Sequence, residues 1–192
     1  MGYQRNEYDW CVMNKIIDNK QCTILCHVDD LKTSNVDPSV VYSVPADIDA
    51  EYGKIAKVTI TRGKVHKYLR MTIDYSSPSK VIFLMIDYIE KMLDDIPEDM
   101  KGESSPPAAH HLFEISKDAT KLSQSYAELF HNFVAQLLYL SKRVRPDIQL
   151  AVSFLCTRLR GPETDDYKNL AKAMKDIQGT IGLPLIFQLI CQ

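Results

Sequence analysis

The chain has 192 residues, 45% of them hydrophobic and 25% charged, which is enough apolar material for one ordinary domain or two small ones around a buried core. Its 23 lysines and arginines against 25 aspartates and glutamates leave a formal charge of -2, which excludes a polybasic protein that grips nucleic acid by net charge. No run approaches the roughly eighteen apolar residues of a membrane helix, and charges occupy residues 1–20 where a signal peptide needs an apolar stretch. Asn6 stands where a myristoylation site wants Ser or Thr, and Cys191 lies too close to the end for a prenylation box. The expectation is a soluble intracellular protein, cytoplasmic or nuclear, without a membrane partner.

In chain order, Asp9 to Ile17 and Cys22 to Val28 are β-branched, aromatic or apolar, with Asp18-Asn19-Lys20 as turn material, a hairpin pattern. The second run ends in Asp29-Asp30 and resumes as Leu31-Lys-Thr-Ser, so both carboxylates fall at the tip of a further strand-turn-strand unit. Asp37-Pro38 is a good helix start, but Pro45 would cost a continuing helix about 3 kcal/mol, so residues 37–54 are expected to be broken or irregular. Strands are expected over Lys57 to Thr61 and Lys67 to Tyr75, joined by Arg62-Gly63-Lys64, then a short strand at Val81 to Leu84 and a helix from Ile86 to Ile96. Residues 102–111, which include His110-His111, form a linker by composition. Beyond it the period becomes 3.6: Leu129, Phe133, Leu137 and Leu140 share one face, Ile148, Val152, Leu155 and Leu159 a second, Tyr167, Leu170, Met174 and Ile177 a third. Pro146 suits the first turn of the second of these helices, and Gly161-Pro162 ends it. The fold class is α+β, with strands in residues 1–101 and helices in residues 112–192.

Two adjacent carboxylates after an apolar strand repel each other unless a cation sits against them, and hard oxygens suit magnesium better than zinc. Asp29 and Asp30 are therefore candidate metal ligands, against the plainer reading that Asp at a strand end accepts turn hydrogen bonds. Alternation would put Asp29 on the face of His27 and Leu25, and Asp30 on that of Val28 and Cys26. Cys22, Ile24 and Cys26 alternate as one strand face and read as buried hydrophobes, not as half of a zinc site; five scattered cysteines read as free thiols. Charge is segregated. Residues 142–160 hold Lys142, Arg143, Arg145, Arg158 and Arg160 against Asp147 alone, a candidate phosphate-backbone surface, whereas residues 87–103 are strongly acidic. The competing reading is that both are solvated helix faces. No Gly-rich phosphate loop, G-x-S-x-G elbow or H-E-x-x-H occurs.

In this order the pieces resemble a segment of a copia-type retrotransposon reverse transcriptase. The resemblance is carried by Asp9-Trp10-Cys11-Val12, His27-Val28-Asp29-Asp30-Leu31, Gly63 to Ile73, Tyr88-Ile89-Glu90-Lys91-Met92-Leu93, Leu138-Tyr139-Leu140-Ser141, Arg145-Pro146-Asp147-Ile148 and Gly179-Thr180-Ile181-Gly182-Leu183. It implies an RNA-directed DNA polymerase acting on an RNA or DNA template-primer and a deoxynucleoside triphosphate with two magnesium ions. His27 to Asp30 would then be the palm's Tyr-x-Asp-Asp hairpin, with His27 in the Tyr position, Asp29 the metal-binding carboxylate and Asp30 its less critical neighbour. Residues 67–75 would lie near the primer grip, and the helices beyond residue 111 would be thumb or connection.

The sequence departs from that family in several places. Only twenty-eight residues precede Asp29, without the motif that supplies a third carboxylate, and the fingers and the ribonuclease H segment are not found. Arg70 stands where the family usually has Gly, and Pro45 interrupts a segment that is helical in the family. The expectation is a partial palm joined to a helical segment, inactive alone unless another chain supplies the missing elements. The alternatives are a noncatalytic nucleic-acid-binding remnant and a decayed retroelement product with no selected role.

Overall fold

The computed structural model describes residues 1–104, 106–108, 112–114, 116 and 118–188. The chain divides into two compact units, residues 1–69 and 70–192.

The first unit is built on strands β1 (Gln4–Arg5), β2 (Val12–Ile17), β3 (Lys20–His27) and β4 (Asp30–Ser34), antiparallel in the order β1-β2-β3-β4. The expected hairpin is present: Asp18 and Asn19 take φ of 48° and 59°, the left-handed pair that matches strand twist in a two-residue turn and that short polar side chains tolerate. One face of this sheet packs Cys22 and Ile24 against Val44, with Met13, Ile17, Val40 and Ile48 around them. Val40, Val44 and Ile48 come from helix α1 (Pro38–Tyr52). Asp37 caps α1, its carboxylate accepting from the Ser39 amide at 2.9 Å and from the Ser39 hydroxyl at 2.7 Å, and Pro38 fills the first turn. These two bonds hold the Asp37 carboxyl below the usual carboxylate range.

Helix α1 runs unbroken through Pro45, against the expectation of an interrupted segment. The physical reason is a replacement donor. Proline removes the hydrogen bond to the carbonyl four residues back, that of Val41. The Arg62 guanidinium donates to that carbonyl at 3.2 Å and stacks 3.6 Å from the centre of the Tyr42 ring, the next residue on the helix. Residues 57–61 are accordingly not a strand, because this segment instead carries the arginine across to the helix. The single strand expected over 67–75 is also corrected: β5 (Val65–Tyr68) stops before Leu69 and Arg70, which take φ of 50° and 63°, and β6 (Met71–Asp74) begins after them.

In the second unit β7 (Lys80–Leu84) lies between β6 and β8 (Leu185–Gln188), pairing antiparallel with both. Its helices are α2 (Ile86–Asp94), α3 (Gln124–Ser141), α4 (Gln149–Thr157) and α5 (Thr164–Gly179), with short 3-10 turns at Glu98–Met100 and Pro146–Ile148. All three expected helical faces enter one core, widened on α3 by Phe130 and Val134. Met85, Ile89, Met92, Ile96 and Met100 enter the same core, so the elements on either side of residues 102–111 share one unit and the division falls between Leu69 and Arg70. His110 and His111 lie outside the described residues. Among the described residues, no helix is long and apolar enough to cross a membrane.

The replacement of a helix hydrogen bond by Arg62 predicts coupling. Arg62→Ala should lower stability by about 1 kcal/mol in the wild-type background, and by clearly less when Pro45→Ala has restored the backbone donor. Urea denaturation of the four proteins of this cycle measures the difference.

Candidate functional site

The Asp-Asp hairpin forms as a two-residue loop. β3 ends at His27, Val28 and Asp29 make the turn, and Asp30 opens β4 directly opposite His27. Val28 takes φ of 52°, a conformation that a β-branched residue adopts only under strain, on the order of 1–3 kcal/mol. His27, Val28, Asp29 and Asp30 are all exposed. The turn also corrects the face assignment made by alternation: cross-strand partners point the same way, so Asp30 shares its face with His27, Leu25 and Lys32, and not with Cys26. Strand alternation does not survive a reversal of the chain.

That face carries polar groups the sequence did not single out. Lys32 Nζ lies 2.8 Å from His66 Nε2, and burial lowers the Lys32 ammonium from its ordinary value. An ammonium has only donors, so Nε2 accepts, which leaves the ring hydrogen on Nδ1, 3.2 Å from the Gly63 carbonyl it donates to. The Tyr68 phenol is pushed up by burial and, next, by the charge of Asp30. A basic residue two positions after a carboxylate on one strand was the available signal; His66 and Tyr68 arrive through tertiary folding.

Among the described residues, no three His, Cys, Asp or Glu side chains are grouped to hold a metal ion. Two adjacent exposed carboxylates are not the ligand set of a two-cation centre, which draws acidic groups from separate strands around the ions. Cys22 is buried with Ile24, as alternation implied, while Cys26 is half-buried; both are free thiols.

The basic cluster of residues 142–160 does not form one surface. Arg145 is 1% exposed. Its guanidinium donates to Asp147 at 2.7 Å, to the Thr180 hydroxyl at 2.8 Å, to the Thr180 carbonyl at 3.1 Å and to Asp176 at 3.4 Å. Arg158 donates to Asp166 at 2.9 Å and to Glu163 at 3.0 Å, and the Asp166 hydrogen bond raises its guanidinium further. These two arginines are corrected from phosphate contacts to structural ion pairs, because each has carboxylates from the start or end of α5 within reach. Lys142 and Arg160 remain exposed, and Arg143 is half-buried with its guanidinium 4.1 Å from the centre of the Tyr139 ring. The acidic residues of 87–103 are exposed, a solvated face.

No protein-family model matches the chain, and no solved structure matches it. A protein ascribed to transposon Ty5-1 in Saccharomyces cerevisiae is 24% identical over 190 residues, which is 98% of this chain and 59% of that relative. The chain spans about three fifths of the relative's length.

The Arg145 network makes a stability prediction with a sign. Arg145→Ala leaves Asp176 buried without its cation and should cost about 3–5 kcal/mol by urea denaturation. Burial raises the Asp176 carboxyl above its ordinary value, with Arg145 opposing. The folded state therefore holds that proton more tightly, and the contribution is full below the ordinary carboxylate range and lost as pH rises through the folded value. Denaturation across that range should show Asp176→Asn with a flatter pH dependence than wild type.

Proposed function

We propose that this chain is a segment of a copia-type retroelement reverse transcriptase that carries the polymerase's Asp-Asp hairpin and has no polymerase activity by itself. The observation that carries the reading is the two-residue loop that presents Asp29 at its tip and Asp30 at the start of β4, in the context His27-Val28-Asp29-Asp30-Leu31. A 24% identity over 98% of this chain to a protein ascribed to a transposon supports a retroelement setting for that hairpin. In this proposal residues 1–101 are part of a palm and the helices beyond are thumb or connection. Asp29 and Asp30 supply one edge of an acidic set, and the rest of it, with the fingers, lies outside these 192 residues. Template-primer, deoxynucleoside triphosphate and magnesium are then ligands of the completed enzyme.

Primer extension on poly(rA)/oligo(dT) with magnesium or manganese tests this. The expected result is no incorporation above that of an Asp29→Ala control. Templated synthesis by the isolated chain that disappears in Asp29→Ala would overturn the claim of inactivity.

A further inference from the structure

We propose that the second unit carries a binding site for the phosphates of a nucleic-acid strand, formed by Arg70 and Arg143, whose guanidiniums lie over the adjoining rings of Tyr88 and Tyr139. The inference stands on these contacts and needs neither the Asp-Asp hairpin nor a metal ion.

The four side chains form a ladder of cation, ring, ring and cation. Arg143 lies 4.1 Å from the centre of the Tyr139 ring, the two tyrosine rings are 5.3 Å apart and tilted by 40°, and Arg70 lies 5.8 Å from the centre of Tyr88. Tyr88 is anchored by its hydroxyl, which donates to the Gln136 carbonyl at 3.2 Å. The rungs come from the turn before β6, from α2, from α3 and from the residues just past its end. Stacking satisfies the face of a guanidinium and leaves its in-plane N–H donors unused, the edge that matches a carboxylate or a phosphate.

Two observations say that those edges serve something outside the fold. Arg145 and Arg158 are paired with carboxylates, whereas neither Arg70 nor Arg143 has an ion pair among the described residues. Arg143 Nε is buried without a hydrogen-bond partner, so the donors of this guanidinium that a ligand can reach are its terminal nitrogens. Arg70 takes φ of 63° directly after Leu69 at 50°, a turn that favours Gly or Asn; a large side chain there retains backbone strain in exchange for the position of its guanidinium. Lys142 stands exposed beside Arg143. Separate cations strung along a row of rings suit successive phosphates of a strand, and the exposed Arg70 plane offers a base a surface to stack on. A lone phosphate would engage only one end.

Fluorescence anisotropy of a labelled oligodeoxythymidine titrated with the full chain at low salt tests the site. Binding should weaken steeply with salt, and Arg143→Ala should weaken it by at least about threefold and reduce the slope of log affinity against log salt by about 0.7, the value of one phosphate contact to a single strand. Arg70→Gly should weaken binding comparably while melting no lower than wild type, since glycine relieves the left-handed turn. Arg143→Lys, which keeps the charge but not the planar fork, should fall between. Arg160→Ala should bind as wild type. Undetectable binding at low salt, wild-type affinity in both Arg70→Gly and Arg143→Ala, or equal competition by inorganic phosphate would overturn the proposal.

Discussion

The second unit is organised around a buried charge. Arg145 opens the 3-10 turn that leads into α4, and its guanidinium ties that turn to the far end of α5 through Asp176 and Thr180. A cation almost fully removed from water is unfavourable unless its donors are met, and here carboxylates, a hydroxyl and a carbonyl meet them. The satisfied network fixes where α5 stops. The chain beyond Thr180 then reaches β7 as β8, in the register Phe83 with Leu185 and Val81 with Phe187.

The first unit solves a different problem with the same residue type. Pro45 would break α1, and Arg62 supplies the missing donor from outside the helix while its plane rests on Tyr42. Arginine suits both tasks because its charge does not titrate away and its donors are fixed in one plane. The distinction that matters for function is whether that plane's edge is already occupied. At Arg145 and Arg158 it is; at Arg70 and Arg143 it is not.

Local chemistry was legible from the residues wherever a local rule decided the outcome. Asp18-Asn19 makes a hairpin turn because both tolerate left-handed backbone, Asp37-Pro38 starts a helix, and the apolar faces of α3, α4 and α5 all point into one core. Readings failed where a distant residue reversed a local preference. Continuity of α1 depends on Arg62, seventeen positions after Pro45, and the burial of Arg145 depends on Asp176 and Thr180. The sharing of a face by Asp30 and His27 required knowing the loop length, and alternation across the turn gave the opposite face. The pairing of Arg158 is a local one, since Glu163 and Asp166 follow it within eight positions.

The placement of β8 bears on how the polypeptide is made. β7 is complete at Leu84, yet its second neighbour in the sheet is residues 185–188, so the central strand emerges from the ribosome long before one of its partners exists. Pairings this remote in sequence are slow to close, and until then the nascent chain exposes a half-paired strand beside unfinished helices. The pairing of β7 with β8 therefore closes late, after the four helices between them have been synthesised.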